Sequence, residues 1–284
     1  MHGSFPTPPI DPEVDPAHAH AHAHAPGLAH DLACLGALAA GRRRALRWLA
    51  GAGTLSLVGS GSSAATVASC PVTPEETAGP FPGNGSNGSG AGGIANALRL
   101  TGIVRSDIRA SLGGASGVAQ GVPLTVALRL ADANRGCAGL AGHAVYLWHC
   151  DRERRYSMYS SGVTAESYLR GVQITDANGG VVFTTIFPGC YPGRMPHLHF
   201  EVYRNAAAPS FSNRIKTSQI ALPPAVCNEV YRGGAGYGAS VAPLAALSFA
   251  TDAVFSDGVA AELATVTGSV AAGYAAALTV GIAG

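Results

Sequence analysis

HLHFEVYR, residues 197–204, alternates apolar and polar side chains, the period-two signature of a β-strand. In that register Leu198, Phe200 and Val202 share one face, and His197 and His199 share the other. Similar segments lie on both sides. Residues 123–130 alternate around Leu124, Val126 and Leu128, and residues 142–149 around Val145 and Leu147. Residues 181–186 are β-branched and aromatic and follow the turn sequence Asp176-Ala177-Asn178-Gly179, while 215–222 reads as a further strand. Toward the C-terminus, 252–257 and 263–267 read as two pieces able to pair as strands, and the last fifteen residues are too rich in alanine to assign. No strand regularly alternates with a helix of roughly 10–15 residues, which argues against a parallel α/β domain. Short strands joined by glycine-rich turns point to an all-β sandwich or barrel.

The composition narrows the class of function. Of 284 residues 38 are glycine, 12% are charged, and 18 basic residues face 17 acidic ones. A nucleic-acid binder would need a basic stripe to neutralise phosphates, so that class is disfavoured. A hydrophobic fraction of 47% allows a core, which disfavours a highly charged disordered chain. No uninterrupted apolar run reaches the roughly 18–20 residues of a membrane-spanning helix.

The chain divides into four parts. Residues 1–40 form a Pro-, His- and Ala-rich leader in which His18, His20, His22 and His24 alternate with alanine; this is a low-complexity tail with incidental metal affinity. Residues 41–70 have the basic n-region and weakly apolar h-region of an export signal. Arg42 and Arg43 resemble a twin-arginine pair, although Ala45 stands where an aromatic is usual. The product is therefore expected to be exported, periplasmic or envelope-associated in a bacterium. Val67-Ala68-Ser69-Cys70 resembles a lipoprotein box ending at Cys70, and two readings stay open. Cys70 is acylated, or cleavage falls at a small residue such as Ala68 and Cys70 is unmodified or disulfide-bonded. Membrane attachment would run only through the signal or that lipid. Residues 71–95 read as an extended arm and a Gly/Ser/Asn-rich linker, and 96–284 as the folded domain.

Tyr156, Tyr191, His197 and His199 carry the chemistry. Two same-face histidines are ordinarily packing or surface residues; neighbouring motifs raise their weight. WHCDRERRYSMY at 148–159, LRGVQITDANGGVVFTTIFPGCYPGRMPHLHF at 169–200 and TPEETAGPF at 73–81 resemble the intradiol ring-cleavage dioxygenases, in their compact exported branch. The resemblance implies an immunoglobulin-like β-sandwich and a non-haem Fe(III) held by Tyr156, Tyr191, His197 and His199. It implies that Tyr191 leaves the metal as a proton acceptor and that Arg194 stabilises developing charge over the substrate ring. The implied partners are a catechol-like aromatic diol and O2, giving a cis,cis-muconate-type product. Phenolates and imidazoles suit Fe(III) as hard or intermediate ligands.

Other residues have quieter readings. His149 is structural or supports the ligands from behind. Cys190 stands where this branch commonly has tryptophan, and it belongs to the pocket wall. Asp151 and Arg170 form an ion pair or anchor loops, and Glu75 and Glu76 sit in the arm. Cys137, Cys150, Cys190 and Cys227 allow three complete pairings. One bond from Cys137 or Cys227 to Cys150 or Cys190 is expected, with a free Cys190 lining the pocket as the competing reading. The functional alternative is a non-catalytic exported β-sandwich binding module that retains a metal site. No subunit interface is legible, so a homo-oligomer stays open.

Overall fold

The computed structural model describes residues 70–204 and 209–283. The leader and all of the export segment except Cys70 lie outside the described residues. The strands are β1 (Asn84–Gly88), β2 (Ile94–Asn96), β3 (Pro123–Asp132), β4 (Ala138–Gly139), β5 (Ala144–Trp148), β6 (Arg170–Ile174), β7 (Gly180–Ile186), β8 (His197–Tyr203), β9 (Arg214–Ala221), β10 (Thr265–Ser269) and β11 (Gly273–Ile282). Two helices, α1 (Pro224–Gly233) and α2 (Val241–Ala245), lie between β9 and β10.

Two sheets stack as a β-sandwich. One runs β10-β11-β3-β4, with β7 also pairing β3, and the other runs β6-β5-β8-β9. Every pairing in the second sheet is antiparallel, whereas β11 joins β3 in parallel. Leu124, Val126 and Leu128 of β3 and Phe183 of β7 meet Val145 and Leu147 of β5 and Leu198, Phe200 and Val202 of β8. Burying each of these side chains contributes about 1.5–3 kcal/mol. The period-two pattern in β8 therefore decides the arrangement. Its apolar set faces the space between the sheets, and its polar set faces outward.

That outer face is not solvated. Tyr146, Trp148, Val172 and Tyr203 form a second apolar cluster there, packed against Ala78 and Phe81 of the N-terminal arm. β8 is consequently buried on both faces along its whole length. The arm is held by directional bonds. Glu76 N–H donates to Thr217 C=O at 2.9 Å, and Lys216 Nζ donates to Thr73 C=O at 3.0 Å. Asn84 Nδ2 donates to both oxygens of the buried Glu201 carboxylate, at 2.9 and 3.0 Å.

The buried Arg170 completes the clamp. Its guanidinium donates to the carbonyls of Phe81, Pro82 and Ser157 and to the hydroxyls of Ser157 and Tyr146, all within 3.1 Å. It is a loop anchor satisfied by neutral acceptors, without a carboxylate among those five bonds. Asp151, by contrast, pairs with Arg155 at 2.9 Å.

Several expectations change. Within the segment expected to be a flexible linker, β1 and β2 pair as an antiparallel hairpin, so ordered structure begins at the arm. Residues 252–257 form no strand. They include the short 3-10 turn Phe255–Asp257, because the Asp252 carboxylate accepts the N–H groups of Val254 and Phe255 at 2.7 and 3.0 Å. β10 pairs instead with β11, and the alanine-rich end is a ten-residue strand. Its small side chains tolerate close parallel packing beside β3. β6 and α1 have no counterpart among the sequence expectations.

The cysteine pairing is also corrected. Cys137 is bonded to Cys70, with their Cα atoms 5.7 Å apart, while Cys150, Cys190 and Cys227 are free and buried. Of the two readings of Cys70, the bond matches the one in which it is disulfide-bonded. The bond closes a loop of 67 residues that contains the whole arm. Replacing Cys137 by Ser should lower stability by about 2–4 kcal/mol. Thermal melts with and without reductant check this: reductant should lower the Tm of the wild type and leave that of the variant unchanged.

Candidate metal centre

Three segments converge on the outer face of β8. β8 itself supplies His197 and His199. The loop after β5 supplies Tyr156 in a tight turn, with Arg154 and Met158 in left-handed conformations at φ 72° and 70°. Asp151 holds the turn by accepting the Arg155 backbone N–H at 2.9 Å and the Tyr168 hydroxyl at 2.9 Å. The loop between β7 and β8 supplies Tyr191. The two loops touch where Gly189 N–H donates to Asp151 C=O at 3.1 Å. A Cβ on Gly189 would stand 2.8 Å from the Arg152 carbonyl oxygen, so this approach requires glycine.

The four side chains meet tip to tip. Tyr156 Oη lies 3.2 Å from Tyr191 Oη and 3.3 Å from His199 Nε2, Tyr191 Oη lies 3.1 Å from His197 Nε2, and the two Nε2 atoms are 3.1 Å apart. Four donors each bound at about 2.0–2.1 Å to one ion would stand about 3.3 Å apart in a tetrahedral array. The spacing therefore fits a single metal ion. Tyr156, His197 and His199 are each 3% exposed, whereas Tyr191 is partly exposed, so the cluster opens on the Tyr191 side. Among the described residues no group of three or more His, Cys, Asp or Glu could hold a metal, which makes the phenols integral to this centre.

The protonation states suit that use. His197 Nδ1 is 2.6 Å from the Met195 carbonyl. A carbonyl only accepts, so Nδ1 carries the proton and Nε2 directs its lone pair into the cluster. Burial, then the positive charge of Arg194, holds His197 well below the usual imidazole range; for His199 burial comes first, then its neighbour His197 and Arg194. Both rings are thus neutral ligands. Burial and the adjacent Tyr191 push the Tyr156 phenol well above its usual value, so its ionisation calls for a cation at the centre of the cluster.

Arg194 lies beside this cluster rather than free to move over it. Its Nε is 3.2 Å from each oxygen of Asp252, its Nη2 donates to Gln219 Oε1 at 2.5 Å, and the ion pair is almost wholly buried. Asp252 and Gln219 hold Arg194 in place, and sequence reasoning missed both. Gln219 pairs opposite His199 across β8 and β9, a relation available once both strands are registered. Asp252 lies in a segment read as a strand and gave no such signal.

Two expected neighbours of the site lie beside it without bonding to the four clustered side chains. His149 bonds to Cys150 C=O at 2.8 Å and Thr185 Oγ1 at 2.7 Å, toward β7, and burial holds it down at about 4. Cys190 is free and buried, packs into the core between the sheets and lies with its Sγ against the Tyr191 and Arg194 carbonyls.

Comparison with known proteins follows the same line. A family model described as "Dioxygenase" matches residues 109–218. No curated protein sequence matches the chain. Among solved structures, an intradiol ring-cleavage dioxygenase from Tetranychus urticae is 24% identical, covering 75% of this chain and 95% of its own, with a TM-score of 0.56. The dioxygenase domain of a carbohydrate-binding fusion protein from Streptomyces sp. SirexAA-E is 23% identical over 75% of this chain and 99% of its own, with a TM-score of 0.46. Catechol 1,2-dioxygenase from Pseudomonas arvilla is 20% identical over 65% of this chain and 59% of its own, with a TM-score of 0.41. The sandwich fold is shared with the first of these structures, and the dioxygenase family model matches residues 109–218, less than half of the chain.

Proposed function

We propose that this protein is an exported Fe(III)-dependent intradiol dioxygenase that cleaves a catechol-type ring with O2 to a cis,cis-muconate-type product. The convergence of two phenols and two imidazoles at 3.1–3.3 Å carries this reading. Tyr156, Tyr191, His197 and His199 are the residues that would hold the iron. Bound Fe(III) supplies the Lewis acidity and redox chemistry that let an aromatic diol react with O2.

The chain's own groups prepare and protect that chemistry. The two neutral imidazoles contribute no charge, so the two phenolates set the electrostatic balance of the centre. Tyr191 is the ligand nearest solvent, and its Oη is positioned to take a proton from an entering diol. The Arg194 guanidinium, fixed by Asp252 and Gln219, presents positive charge where negative charge develops on the ring. Phe81 packs against the Tyr156 and Tyr159 rings, with centroids 5.1 and 5.2 Å away, and keeps water off that side. The Cys70–Cys137 bond supports export, because such bonds persist in oxidising compartments.

The iron-loaded protein should be wine-red from tyrosinate-to-iron charge transfer, and Tyr191→Phe should weaken the visible band. A colourless protein without iron after expression in iron-supplemented medium would sink the proposal. Oxygen uptake with a panel of catechols, with the products identified, distinguishes intradiol from extradiol cleavage. Asp252→Asn retains the shape of the Arg194 support but removes its charge. It should lower kcat/KM for oxygen uptake by about 10²-fold, the scale of a roughly 1 Å misplacement, while the visible band stays. Unchanged kinetics would mean that the guanidinium does not depend on Asp252.

A further inference from the structure

The two histidines of the cluster are oriented by different means. His197 follows the usual pattern, in which the ring nitrogen away from the metal donates to a fixed acceptor; its Nδ1 contacts the Met195 carbonyl at 2.6 Å. His199 has no such bond. Its Nδ1 is buried without a hydrogen-bond partner among the described residues. A ring attached to the backbone through two rotatable bonds needs some other restraint to keep Nε2 in the cluster.

Trp148 supplies a surface of the right kind. It stands opposite His199 in the β5–β8 register. Its indole lies 5.0 Å from the imidazole centroid with the planes 6° apart. Tyr146 in turn stacks on the indole, with centroids 5.0 Å apart and planes at 22°. The far end of this column is pinned, because Tyr146 Oη donates to Pro82 C=O at 2.8 Å and accepts from Arg170 Nη1 at 3.1 Å. Trp148 Nε1 is itself buried without a hydrogen-bond partner among the described residues. Trp148 therefore acts through its ring plane and not through its N–H, a buried unpaired donor that carries a cost.

We infer that Trp148 is a positioning residue whose indole plane holds His199 Nε2 on the metal, replacing the hydrogen bond that orients His197. The inference rests on the metal-centre reading above. It predicts that an aromatic ring at position 148, rather than bulk alone, governs metal retention.

The test compares Trp148→Phe with Trp148→Leu in the full iron-loaded protein. Both variants shrink the side chain to a similar size, but only one keeps a ring. Iron release to excess chelator is followed by loss of the visible band, with circular dichroism reporting the fold. Trp148→Leu should release iron about tenfold faster than Trp148→Phe, at the lower end of the 10–100-fold typical of losing an outer-shell partner. Equal rates in two folded variants overturn the inference. Should either variant fail to fold, Tyr146→Phe and Tyr146→Leu make the same comparison one ring further along the column, and equal rates there also overturn it. A wild type that takes up no Fe(III) overturns the metal-centre reading as a whole, whereas normal uptake with equal release rates removes only the role of Trp148.

Discussion

The buried guanidinium of Arg170 ties together three segments that are far apart in sequence. It reaches the arm at Phe81 and Pro82, the ligand-bearing loop at Ser157 and the outer sheet face at Tyr146. A buried charge is costly unless its donors are satisfied, and here they are satisfied only when all three segments are docked. Arg is suited to this because its planar fork offers donors in several fixed directions. Docking of the arm, seating of the Tyr156 loop and alignment of the Tyr146 column are thereby coupled through one side chain.

The cluster of Tyr156, Tyr191, His197 and His199 depends on that coupling because it lies on the outside of the sandwich. In a two-layer β fold the face away from the core would ordinarily meet water. Here the arm turns it into a second interior, and Glu201, fully buried on the same strand, is satisfied by Asn84 from the arm and Arg214 from β9. The outcome is a strand with apolar packing on one side and a dry polar chemistry on the other. Such an environment strengthens the electrostatic pairing of Arg194 with Asp252 and keeps the imidazoles neutral.

Much of this was legible in the sequence, for identifiable reasons. β3, β5, β7, β8 and β9 announce themselves through period-two alternation or β-branched content, and all five occupy the expected regions. The four clustered side chains were legible because their motifs are local: a tyrosine in a tight turn, a second after Pro-Gly, and two histidines two residues apart. What was not legible depends on partners distant in sequence. The glycine-rich arm looks like a linker until Arg170 and Glu201 are seen to grip it. Cys70 offers no sign of its partner until the fold sets it beside Cys137. Asp252 sits in a segment with no period, and its role comes from Arg194, which is 58 residues away. β11 hides in alanine because its side chains need only be small enough to lie beside β3.

The parallel pairing of β11 with β3 also bears on how the molecule can be made. β3 spans 123–132 and β11 spans 273–282, so one edge of a central strand waits for a partner that follows it by more than a hundred residues. Until that strand arrives, the first sheet presents an open ladder, and pairings this distant in sequence form slowly. A chain emerging progressively from a ribosome or a narrow pore cannot complete its sandwich segment by segment. Its first sheet closes only once β11 is available. Before that point the unpaired edge of β3 is an exposed and aggregation-prone sheet edge.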